Sequence, residues 1–140
     1  MSNKNNFRYT ANEGTPVHGH TDLSQAEIDA VNEQMRDIAE VSAVEIIASA
    51  AVHLMSAAAV KCGLAAEDDA EDVKDLDEAR KLITALAGFV TAAAPEIGSH
   101  HAAPLRDGLR TLQLAFREAS DVPDEPGKGP GEKFTGPVYA

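Results

Sequence analysis

Residues 42–63, SAVEIIASAAVHLMSAAAVKCG, decide how this chain folds. Nearly every side chain in the stretch is small or apolar, and Glu45, His53 and Lys61 are the interruptions that can carry a charge near neutral pH. A helix written this way has too narrow a polar face to lie on a surface. It is expected to be the central post of a helical bundle or one half of a subunit interface. Val44, Ile47, Ala51, Leu54 and Ala58 share one stripe. Glu45, Ser49 and Ser56 form a thin polar seam, and beyond it lies a second apolar strip of Ile46, Ala50, Ala57 and Val60 with His53 in its middle. Two apolar strips need two partners, and a homodimer is expected on that ground.

Signals on either side delimit further helices. Upstream, Ser24 and Glu27 make a capping box, with Leu23 and Ile28 at the positions of a hydrophobic staple. Ile28, Val31, Met35 and Ile38 follow at the spacing of one helix face, opposite Asp29, Glu33, Arg36 and Asp37. Ser42 and Glu45 repeat the box, so the first helix is expected to end near Glu40. Gly63 suits a left-handed cap at the end of the second.

Downstream, residues 65–75, AAEDDAEDVKD, repel one another and are expected as a solvated loop or frayed turn. Asp75 and Glu78 form a third capping box. The helix they open carries Leu76, Ala79, Leu82, Ile83, Leu86, Phe89, Val90 and Ala93 on its apolar face, and is expected to stop before Pro95. PEIGSHHAAP reads as a turn region, with Pro104 in the first turn of a last helix whose inward residues are Leu105, Leu109, Leu112, Phe116 and Ala119. Leu114 lies off that stripe and is expected to be exposed or to contact another chain.

The whole therefore reads as an all-α protein. A small helical bundle of three core helices plus an N-terminal amphipathic helix occupies residues 23–120, between a disordered lead-in at 1–22 and a flexible Pro/Gly-rich tail at 121–140. Phe134, Val138 and Tyr139 are apolar anchors in that tail, and with Leu114 they are the candidate partner-binding residues.

Composition narrows the function. The 140 residues carry a formal net charge of −11, which opposes attraction to phosphate or to an anionic membrane surface, so no direct nucleic acid and no membrane is expected as partner. Trp is absent and aromatics are few, so the core is built from Ala, Leu, Val and Ile. A single cysteine excludes an internal disulfide framework and suits a reducing compartment, and MSNKNNFRYTANEG has no apolar signal core. The uncharged run near residues 46–60 is short for a membrane span, so the expected location is the cytoplasm.

The pattern from VEIIASAAVHLMSAAAVKCGL through DLDEARKLITALAGF to PLRDGLRTLQLAFREA resembles the bacterial domain of unknown function family 1844, and the tail PGKGPGEKFTGPV looks like its actinobacterial branch. The resemblance covers roughly Ile38 to the C-terminus, and its middle motif, DLDEARKLI, Asp75 to Ile83, is moderately specific. It implies a short helical protein with no assigned reaction and no catalytic residues to carry over. The resemblance also implies a gene that, as often in similar actinobacterial proteins, lies near those for translation initiation factor three and ribosomal proteins, which gives a second reading as a ribosome- or translation-associated regulator.

No chemistry is compelling in the residues themselves. His18, His20, His100 and His101, with Cys62, are imidazole and thiol donors without the spacing of a zinc site, so neither a metal nor a cofactor is expected and a small metal-dependent enzyme is the least favoured reading. His53 is expected as a buried, hydrogen-bonded structural residue rather than a pH switch. Cys62 stands at a helix C-terminus, the wrong end to activate a thiol. GKGPG, Gly127 to Gly131, lacks the strand and helix of a phosphate loop, and the acidic run Glu67 to Asp72 lacks the ligand pattern of a calcium loop. Arg80, Arg106, Arg110 and Arg117 are expected to meet acidic faces of neighbouring helices. The expected function is thus that of a non-enzymatic protein–protein interaction module.

Overall fold

The structure, a computed structural model, describes residues 24–64 and 69–139. It is all helical, with no strand among the described residues, and its contacts divide the chain between Val41 and Ser42. Helix α1 (Gln25–Glu40) belongs to the first unit. Its start follows the capping box: the Glu27 N–H donates to Ser24 Oγ at 3.1 Å and the Ser24 N–H to Glu27 Oε1 at 2.8 Å. Leu23, the other half of the expected staple, lies outside the described residues.

The second unit contains α2 (Ala43–Lys61), α3 (Ala70–Val73), α4 (Leu76–Ile97), α5 (Ser99–Ala119) and α6 (Glu132–Thr135). Local signals set most of these boundaries. The Glu45 and Glu78 N–H groups donate to the side chains of Ser42 and Asp75 at 3.3 and 3.2 Å. Gly63, at φ +87°, ends α2 in a Schellman motif: its N–H reaches the Val60 carbonyl, and the Leu64 N–H reaches that of Ala59 at 3.0 Å. The Asp75 N–H then donates to the Lys61 carbonyl at 2.8 Å, tying the start of α4 to the end of α2. Within the connector expected as a loop, Ala70–Val73 forms a single helical turn.

Two boundaries differ from expectation. Helix α4 runs through Pro95 to Ile97, and α5 begins at Ser99, with Pro104 in its second turn. Each proline removes one N–H from the ladder, but both lie on the solvent side where water can serve the freed carbonyl. Ala94 and Ile97 before the corner, and Ala102 and Leu105 after it, are buried, and their burial offsets the lost bonds. The true break is Gly98 alone. At φ 87° and ψ 159° it closes α4 through its N–H to the Ala94 carbonyl and opens α5 by accepting from Ala102. That backbone geometry is open almost only to glycine.

The central post is α4 rather than α2. It packs α2, α5 and α6 around itself and buries Ala79, Ile83, Leu86, Ala87, Val90, Ala93, Ala94 and Ile97, whereas α2 fully buries only Ala51 and Ala58 along its length. Small residues on both helices bring their axes close. At the α2–α5 crossing Gly108 leaves room for Met55, whose sulfur a Cβ would strike. Among the described residues, α2 is the one helix long and apolar enough to cross a bilayer, by length and composition alone.

Residues 121–139, expected as a flexible tail, lie folded on α4 and α5. Pro130, Gly131, Glu132 and Val138 are buried. The segment has few side chains of its own to form a core, so it is held by polar groups projecting from the two helices.

Candidate functional site

Two surfaces distinguish this fold. The first is the outer flank of α2. The stripe of Val44, Ile47, Ala51, Leu54 and Ala58 faces the bundle, as its spacing requires. The second strip finds little cover: Ile46 is 43% and Val60 38% exposed, Ala50 is exposed and Ala57 half-buried, and the seam residues Ser49 and Ser56 are exposed beside it. His53, expected to be buried, is exposed in the middle of this flank. The reason is volume: one α4 and one α5 can cover only one side of a helix that is apolar on two.

The second surface is the seat of the C-terminal segment. The Gln113 amide, buried on α5, donates to the Pro130 carbonyl and to Thr135 Oγ1, each at 3.1 Å. Arg80 of α4 grips both carboxylate oxygens of Asp124 at 3.0 and 3.1 Å while its guanidinium lies 4.9 Å from the Phe116 ring centre. Arg117 donates to the Asp124 carbonyl and Arg110 to that of Tyr139. The arginines expected to meet neighbouring helices thus include three that hold the chain's own tail. Buried Glu132 accepts the Gly127 N–H at 2.7 Å and so fixes the glycine-rich loop of the GKGPG run. That loop serves as a seat on α4, where Gly131 sits against Ala87.

The candidate partner-binding residues are divided by this arrangement. Val138 is 5% exposed and turned into the bundle, so it is committed to the chain's own core. Phe134 rests its ring on Gly88 of α4 and remains 43% exposed, and Tyr139 is 58% exposed. Phe134 and Val138 line a cavity of about 390 Å³ with Leu109, Arg106 and Arg110. Leu114 is half-buried at a separate hollow beside Arg117 and Pro123. Gly88 and Gly108 are the signal sequence reading passed over, since a glycine inside a helix is costly unless something packs against it.

Nucleophiles and metal donors do not assemble. Cys62 is buried at the α2 cap, and burial pushes its thiol up from the ordinary value, with Lys74 opposing in part. His100 and His101 stack edge to face at 5.3 Å on the surface of the first turn of α5. No group of three His, Cys, Asp or Glu side chains that could hold a metal ion occurs among the described residues. His18 and His20 lie outside them.

The family described as Domain of unknown function (DUF1844) matches residues 43–118, from the start of α2 nearly to the end of α5. No curated protein and no solved structure matches the chain.

Proposed function

The chain belongs to the DUF1844 family, whose matching region is the α2–α4–α5 bundle itself, and from this premise we propose that the protein is a non-enzymatic protein–protein interaction module of the cytoplasm. The observation that carries the reading is the uncovered flank of α2. Ile46, His53 and Val60 stand there in one exposed row on a well-anchored helix. Contiguous apolar surface of this kind marks sites of association. The exposed Phe134 and Tyr139 of the docked segment offer a smaller accessory surface.

A net charge of −11 favours a protein partner over nucleic acid. Its test compares the proteins retained from the native cell by the tagged full chain and by a double variant, Ala50→Glu with Ser56→Glu, whose sites both face solvent. Loss of specific partners, further copies of the chain included, from the variant is the expected result. An unchanged set, or cosedimentation with ribosomes that the variant does not alter, overturns the reading.

A further inference from the structure

The cavity of about 390 Å³ between α4, α5 and the docked segment is large enough for a small organic molecule. Buried Val90, Leu109 and Val138, with the partly exposed ring of Phe134, give it an apolar wall. Gln113, 2% exposed, lines it as well. The Gln113 amide nitrogen already donates to Pro130 and Thr135, so the side chain can offer an incoming group only its carbonyl oxygen. Donors for a ligand must come from elsewhere on the wall.

The charged groups there have one sign. Arg106 and Arg110 stand four residues apart on α5 and therefore on one face, and both line the cavity, whereas no Asp or Glu among the described residues does. Neither arginine makes an ion pair among the described residues. Arg110 donates from Nη2 to the Tyr139 carbonyl, and Arg106 makes no side-chain hydrogen bond among the described residues. This is unexpected in a chain with 23 acidic residues against 12 basic ones, where Arg80 finds Asp124. Two guanidiniums with no carboxylate of their own, set beside an apolar hollow, present planar donor forks to an oxygen anion.

We infer that this cavity binds a small organic anion, an apolar body carrying one carboxylate or phosphate head. The body lies against Val90, Leu109 and Phe134, and the head is held by Arg106 and Arg110. Charge also limits the size of the ligand. A net charge of −11 repels a polyanion as a whole, whereas a single head within reach of two arginines meets their local field. The site is built from α4, α5 and the C-terminal segment, so the inference goes beyond the interaction reading and does not depend on α2.

Amide NMR spectra of the full chain, titrated with phenyl phosphate, phenylacetate and uncharged benzyl alcohol, test this. At least one of the two anions is expected to bind at millimolar concentration or below, with shifts centred on Val90, Leu109 and Val138, and the tighter of the two assigns the head. Benzyl alcohol brings a similar ring without the charge and is expected to bind at least about tenfold more weakly. Arg106→Gln removes a guanidinium that ties down no other described residue, so the denaturation midpoint is expected to stay while affinity for the anion falls about tenfold. Arg106→Lys keeps the charge without the fork and is expected to retain part of the affinity. Absence of shifts with either anion overturns the inference, as do shifts centred away from the cavity, equal binding of benzyl alcohol, or an anion affinity that both Arg106 variants leave unchanged. None of these results bears on the partners of α2, so the two readings fail independently.

Discussion

Gln113 donates its side-chain amide to the backbone carbonyl of Pro130, seventeen residues further along, at a point where both are buried. A glutamine on the inward side of a helix is there to satisfy something. Here it serves a carbonyl in a Pro/Gly segment that cannot satisfy its own backbone with helix or sheet bonds. The same amide reaches Thr135 Oγ1, so one side chain fixes both ends of the α6 turn.

Gln113→Leu keeps the volume and removes both bonds. It leaves the buried Pro130 carbonyl unpaired, at an expected cost of about 1–3 kcal/mol. Urea denaturation measures the loss, and limited proteolysis is expected to cut within 121–139 sooner than in the parent chain. Equal cutting rates would show that the amide does not hold the segment.

Gly131 and Gly136 separate two effects that usually come together. Both have positive φ, 76° and 82°, but a Cβ at Gly131 would run into Ala87 whereas one at Gly136 meets nothing within 4 Å. Gly136, with ψ 174°, lies in a region open essentially to glycine, and Gly136→Ala is expected to cost about 1–3 kcal/mol from backbone conformation alone. Gly131, with ψ −5°, is in the ordinary left-handed region, where a Cβ costs about 1–2 kcal/mol, and the overlap with Ala87 adds about 1–3 kcal/mol. Denaturation midpoints of the two variants check this, and a Gly131→Ala loss no larger than its backbone cost would place Gly131 away from α4.

Leu109 is 3% exposed in the core between α4 and α5, while Leu114, five residues on, is only half-buried. Leu109→Ala is expected to cost about 2–5 kcal/mol, and Leu114→Ala less than about half of that. Thermal unfolding of both variants tests the assignment of the inward face of α5, and a reversed order would refute it.

The Cys62 thiol gives stability a pH dependence of known sign. Burial holds it above its ordinary range, so the folded chain binds that proton more tightly than the unfolded one. Below the ordinary thiol value of about 8.5 both states are protonated and the contribution is complete. As pH rises past that value the unfolded chain releases its proton first, and stability falls until the folded thiol ionises too. Unfolding midpoints across the alkaline range are expected to drop in the parent chain and to drop less in Cys62→Ala. A thiol reagent that modifies Cys62 as fast in the folded chain as in urea would contradict the burial on which this rests.

The residues themselves determined the helices. Ser24 with Glu27, Ser42 with Glu45, Asp75 with Glu78, and Gly63 act within one turn of backbone, so their effect is written in adjacent positions and can be read there. The inward stripes of α2, α4 and α5 were equally legible, because a side chain's direction on a helix depends only on its number. Tertiary structure decided the rest. Pro95 and Pro104 stay inside helices because buried neighbours at Ala94, Ile97, Ala102 and Leu105 outweigh one lost bond each. The segment 121–139 docks because Arg80, Gln113 and Arg117 present donors at the right places, and no local pattern in the tail announces them. The amphipathic pattern of α2 states that it has two apolar sides; which of them meets α4 depends on the space the other helices leave, a property of the assembled volume and of no single stretch of chain.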